Sequence, residues 1–175
     1  MGLTRPLPGE YAEGYATYIA EAGDGDVLAL LQAQEEEVAA LYRGLSEAQG
    51  TFRYAPGKWS LKDLLLHLSD AERIFTYRCL RIGRGDTTPM PGFDEDAYAA
   101  AAQADGRTMA DLLADFRAVR AASLTLFRSL PEAAWMNKGT TNNRAITARC
   151  IPYIALGHAA HHLTVIRERY LPVLK

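Results

Sequence analysis

The chain has 175 residues, 49% of them hydrophobic and 23% charged, with a formal net charge of −2. That length suits one domain with a full core and is short for two, so residues 1–175 read as a single domain whose core spans about 26–171. The weak negative charge, with no basic patch, excludes general nucleic-acid binding; no apolar run reaches the length of a membrane span, and residues 1–8 lack the apolar centre of a signal peptide, so a cytoplasmic protein is expected.

Within residues 10–22, Tyr11, Tyr15, Tyr18 and Ile19 recur at helical spacing before Gly23-Asp24-Gly25 breaks the pattern. This predicts a short leading helix that packs its tyrosines on the body of the protein. Asp24 or Asp26 can cap the next helix, whose stripe runs through Val27, Leu31, Val38, Leu41 and Leu45 to about Ala48. Gln34 sits in mid-stripe, where an amide must reach either a reactive site or a neighbouring helix. Glu35-Glu36-Glu37 reads as a solvated charge run.

After a loop at 49–58, Ser60 and Asp63 form a capping-box variant for a second helix with apolar residues at 61, 64, 65, 68, 71, 75 and 79. His67 lies about 85° off that stripe, on the flank shared with Asp63, Asp70 and Arg78. Arg78, Arg81 and Arg84 recur at three-residue intervals on this helix: solvated side chains, or the wall of a pocket for an anion. Residues 83–105 are irregular, with a short helix expected at 94–103, and have the length of a connection that crosses a bundle. The third long helix keeps three-four spacing from Met109 to Leu130, ends before Pro131, and is read as core alone. A last helix is expected from Arg144 or Ile146 to about Tyr170, with Pro152 in its first turn or at a kink. No alternation is long enough to predict a strand. Cys79 and Cys150 fit no paired spacing and are expected as buried, reduced thiols.

Three of the four histidines fall within Gly157-His158-Ala159-Ala160-His161-His162-Leu163. On a helix, His158 and His162 share one face, with Ile151, Ala155, Val165 and Ile166, while His161 falls at its margin. Two imidazoles on a core-facing side need a partner. A divalent metal with three neutral imidazoles and one open position is one solution, and His67 is the third ligand available; hydrogen bonds to carbonyls and carboxylates are the other. Asp70, one turn from His67, is placed to orient its second ring nitrogen.

Pro56-Gly57-Lys58-Trp59-Ser60-Leu61-Lys62-Asp63 leading into His67-Leu68-Ser69-Asp70-Ala71-Glu72, with Gly157-His158-Ala159-Ala160-His161-His162 and the Pro-Gly-Phe-Asp-Glu-Asp stretch at 91–96, resembles the DinB-like superfamily of metal-binding four-helix bundles. The likeness runs from about Tyr18 to Tyr170. It implies an all-α, up-down-down-up bundle with the long crossover between helices 2 and 3, usually dimeric. It also implies metal ligands at His67, His158 and His162, with zinc or nickel as the metal. Some such proteins are S-transferases for low-molecular-weight thiols such as bacillithiol or mycothiol, some isomerise thiol adducts, and others are hydrolases.

Two chemistries on a small-molecule substrate follow from a three-histidine metal: ionising a thiol cosubstrate for attack on an electrophile, or ionising water for hydrolysis. Hydrolysis asks for a nearby acid or base, and position nominates only His161, Asp70 or Gln34. That thin inventory favours thiol chemistry. A metal-binding stress protein without turnover is the reading from a different class.

Overall fold

The structure, a computed structural model, describes residues 3–174. Four long helices form a bundle: α2 (Val27–Arg43), α4 (Leu61–Gly83), α6 (Met109–Ser129) and α7 (Cys150–Val165), the last running on through one π-helical turn, Ile166–Tyr170. Three short helices accompany them: α1 (Ala16–Glu21), α3 (Glu47–Gly50) and α5 (Glu95–Ala102). No helix among the described residues is long and apolar enough to cross a membrane.

The starts of the long helices follow from their caps. Asp26 accepts the Leu28 N–H of α2, Thr108 accepts the Asp111 N–H of α6, and Ser60 and Asp63 close the expected box at α4 with bonds of 3.0 and 2.9 Å. The second helix of the chain stops earlier than its stripe suggests. Gly44 ends α2, and a second box, Ser46 with Gln49, starts the separate turn α3, so the helix does not reach Ala48.

Lys62 at the start of α4 donates to the Arg107 carbonyl just before α6, and Gly83 at the end of α4 packs on Leu130 just past α6. These two helices therefore run in the same direction, and residues 84–108 are needed to bring the chain back. Leu31, Leu65, Leu68, Leu112, Phe116, Phe127 and Ile151 fill the space between the helices with almost no exposure, each contributing about 1.5–3 kcal/mol.

Two expectations are corrected. Lys138–Thr141 and Arg144–Thr147 form an antiparallel hairpin, β1 and β2, so α7 begins at Cys150 and not at Arg144 or Ile146. The alternation is only four residues long on each side, too short to read, but Asn142 and Asn143 at φ 51° and 60° supply the two left-handed residues that a tight hairpin needs. Pro152 then sits in the first turn of α7, where its missing N–H costs nothing. The second correction concerns α6, which is more than core filler: Arg120 is fully buried there, bidentate with Glu72 of α4. Cys79 and Cys150 are buried free thiols, and burial pushes Cys79 up to about 12.

Candidate metal centre

Residues Cys150 through Ala159 of α7 are all buried, so this helix is enclosed on every side. Its approach to α1 is set by Gly157, where a β-carbon would fall inside the Tyr18 carbonyl group. That close approach limits how α7 can turn against α1, and His158, the next residue, faces α4. His162 follows one turn later, and His67 meets both from α4.

The three Nε2 atoms converge. His67 Nε2 lies 2.9 Å from His158 Nε2, which lies 3.2 Å from His162 Nε2, and one ring nitrogen from each histidine falls within 4.8 Å of the other two. His67 and His158 are 8% and 6% exposed. Burial lowers all three: His67 to about 4, His162 to about 3, and His158 well below its ordinary range, where His162, His67 and His161 add to the effect. The rings are therefore neutral near pH 7.

This donor set fits a cation. A neutral ring offers its Nε2 as one N–H or one lone pair, so N–H···N contacts leave part of a facing trio unsatisfied, and burial opposes protonation. A tetrahedral divalent ion with bonds of about 2.0–2.1 Å places ligand nitrogens about 3.3 Å apart, close to the spacing seen. His162 Nδ1, buried with no hydrogen-bond partner among the described residues, adds another polar atom that the protein does not satisfy.

The walls are aromatic. The Trp59 ring centroid lies 4.6 Å from that of His67 and stacks at 6.4 Å on His162, while Tyr18 and Phe75 meet His158 edge-on at 5.4 and 5.5 Å. The Trp59 indole N–H donates to Asp96 Oδ1 at 3.0 Å, which brings the first turn of α5 to the site, near enough for the Asp96 charge to act on His67. A groove of about 440 Å³ opens beside Trp59, bounded by Lys58, Asp96, Ala99 and Gln103. A cavity of about 10 Å³, room for one water, lies between His67, Asp70, Phe93 and Tyr98.

Of the proton-transfer candidates, none touches the three facing nitrogens. Asp70 shares the small cavity with His67 but bonds Arg73 at 3.1 Å; it does not orient the His67 ring as expected, because the carboxylate is drawn to the guanidinium. Gln34 donates to the Leu156 carbonyl at 2.9 Å and accepts from Arg120, so its role is a bond between helices. His161 turns to Tyr18 and Glu21, its Nδ1 3.7 Å from the carboxylate. The arginine pocket is not formed as such. Arg78 is buried and donates to the Pro91 carbonyl and Asn142, Arg81 pairs with Asp86, and Arg84 is exposed at the helix end.

Sequence reasoning gave Trp59, Tyr18 and Asp96 no place at the site. Trp59 lies in the Pro56–Asp63 stretch with nothing in its spacing to mark a role, and among Asp94, Glu95 and Asp96 no pattern marks the one that meets the indole.

A family model of the DinB superfamily matches residues 30–166, from α2 to the first residue of the π turn. The chain belongs to the DinB superfamily. Among solved structures, this DinB-superfamily chain is similar to YfiT from Bacillus subtilis, described as a probable metal-dependent hydrolase with an unusual four-helix bundle topology. The TM-score is 0.67 at 18% identity, over 96% of this chain and 92% of that one. It is also similar to a mycothiol-dependent maleylpyruvate isomerase, with a TM-score of 0.65 at 16% identity, over 79% of this chain and 58% of that one. At such identities the likeness is one of fold. No curated protein sequence matches.

Proposed function

We propose that this protein is a divalent-metal-dependent enzyme that transfers or isomerises adducts of a low-molecular-weight thiol, with His67, His158 and His162 as ligands and zinc or nickel as the metal. A divalent cation there supplies a Lewis acid that lets a thiol or a water ionise near neutral pH. One observation carries the choice between them: the trio is walled by Trp59, Tyr18 and Phe75, with no acid or base among the described residues hydrogen-bonded to the facing nitrogens apart from the imidazoles themselves. A thiol with a pKa of about 8.5 needs little help to ionise, whereas hydrolysis needs a group that takes a proton and returns it to the leaving group. Trp59 and Phe75 exclude water around the sulfur, and the groove beside Trp59 gives the rest of the molecule room. YfiT and the maleylpyruvate isomerase are described with metal-dependent hydrolysis and thiol-dependent isomerisation respectively, the two chemistries weighed here.

A hydrolase is the second reading, and Asp96 favours it. Its Oδ1 takes the Trp59 N–H, and Oδ2, without a hydrogen-bond partner among the described residues, can hold a water. The two readings part on one variant. Asp96→Asn should lower ester or amide hydrolysis at least a hundredfold if Asp96 is the base, and change thiol conjugation less than about threefold.

The test of the whole proposal begins with metal analysis of the purified wild type, His67→Ala and His162→Ala. The wild type should hold about one ion per chain and each variant should lose most of it while its helical circular dichroism persists. Equal metal content in the three proteins would remove the assigned ligands. A screen of conjugation to common electrophiles with cysteine, glutathione, mycothiol and bacillithiol follows, and background rates with all four would remove the thiol reading.

A further inference from the structure

Arg120 of α6 is 0% exposed and Glu72 of α4 is 3% exposed. The guanidinium meets both carboxylate oxygens, with bonds of 2.8 to 3.0 Å. Its remaining donors go to α2: the Leu31 carbonyl at 2.6 Å and Gln34 Oε1 at 3.3 Å. Gln34 passes the connection on, donating from Nε2 to the Leu156 carbonyl of α7 at 2.9 Å. One continuous chain of charge-assisted and amide hydrogen bonds thus touches all four long helices. It lies next to the metal centre: Glu72 follows His67 by little more than one turn, and Leu156 precedes His158 by two residues on the helix that also carries His162.

A buried ion pair is a poor source of net stability, because the cost of taking both charges out of water roughly cancels their attraction, and well-packed apolar side chains often do as well. What such a network does supply is direction. Apolar ridges tolerate sliding and small rotations of one helix on another, whereas the Gln34 amide reaches a single carbonyl of α7 only at one register. An error of about 1 Å at that carbonyl would carry directly into the spacing of the facing imidazoles.

We infer that the Glu72–Arg120–Gln34 network is a positioning device for the metal centre: it fixes the register and rotation of α7 against α2, α4 and α6, and so holds His158 and His162 at coordinating distance from His67. This rests on the proposal that the trio binds a divalent ion, and the experiment separates the two.

The probe is Co(II), added to metal-stripped protein and read by its visible absorption and by competition with a chelator. Two variants are used: Glu72→Leu with Arg120→Met, which makes the network apolar, and Gln34→Met, which keeps the ion pair and cuts only the connection to α7. Both should keep the helical circular dichroism and a thermal midpoint near that of the wild type. Both should bind Co(II) about tenfold or more weakly, with a changed absorption spectrum that reports altered ligand geometry. If the double variant does not fold, Gln34→Met alone decides the matter. Wild-type affinity and spectrum in a folded Gln34→Met protein would overturn the inference alone. A wild type that takes up no Co(II) would overturn the metal reading and this inference with it.

Discussion

His67 and His158, 91 residues apart in the chain, hold their Nε2 atoms 2.9 Å from each other with no charged group between them. Burial keeps both rings, and His162, neutral far below the ordinary histidine value of 6.5. The folded values are depressed, so the pH dependence has a definite sign. Above pH 6.5 folded and unfolded chains bind the same number of protons at these sites, and the full stability is present. As the pH falls from 6.5 toward about 3 to 4, the unfolded chain takes up protons that the folded one refuses, and stability declines. Zinc binding reports the same property directly. Titrated at pH 6 in two buffers of different ionisation enthalpy, the metal-free protein should release fewer than about 0.5 protons per ion, where three ordinary imidazoles would release about two.

Gly157 is the second constraint on the centre. A β-carbon there would collide with the Tyr18 carbonyl, which is backbone and cannot move without shifting α1. Gly157→Ala should therefore cost about 3 kcal/mol, the top of the usual range for core overpacking, and should lower zinc affinity as the Tyr18 edge leaves His158. Gly14→Ala, with nothing within 4 Å of the added carbon, is the control and should be near neutral. Thermal unfolding of the two variants side by side checks this.

These two relationships mark how far the sequence could be read. The local 158/162 spacing and a composition with only one other histidine suffice to point to the trio, because neither depends on knowing the fold. An apolar stripe predicts the facing of α7, yet ten consecutive residues from Cys150 are buried, so no stripe distinguishes one side. Part of what orients this helix is the contact of Gly157 with Tyr18, made across 139 residues of chain, and a lone glycine in a helical pattern does not announce its partner. Arg120 was hidden for a similar reason: an arginine amid three-four spacing reads as a surface residue until Glu72 is known to face it. The hairpin failed on length, since four residues a side fall below what alternation can resolve, although Asn142-Asn143 carried the turn signal.

Glu10 ties the leading segment to the end of the hairpin. Its carboxylate takes bonds from the Arg149 guanidinium and from Thr147 Oγ1, and its carbonyl accepts the Thr147 N–H. The Arg149 bond, with smaller help from the Leu7 N–H and Thr147, lowers the Glu10 carboxyl from 4.5 to about 2 against the opposing effect of burial. A depressed carboxylate contributes stability that is complete above its unfolded value and is lost as pH falls through the folded one. Glu10→Gln should thus cost about 1–2 kcal/mol at pH 7, and its unfolding curve should merge with that of the wild type near pH 2. Urea titrations at pH 7, 4 and 2 measure the convergence.

The hairpin offers a change in stability that leaves the metal centre alone. Asn143 holds φ at 60° in the turn, a region where a branched side chain is strained and glycine is at ease. The strands lie on the far end of α4, with Gly139 packed on Ile82, whereas His67 is in the second turn of that helix. The distance along the axis is about 22 Å. Asn143→Gly should raise stability by about 0.5 kcal/mol, and Asn143→Val should lower it by about 1–2 kcal/mol. Neither should alter zinc affinity by more than about twofold, since the length of α4 on one side and the buried first two turns of α7 on the other separate the turn from the imidazoles. A zinc affinity that tracked stability across this pair would mean that the centre responds to global loosening of the bundle, and the case for local control by Gly157 and Gln34 would weaken accordingly.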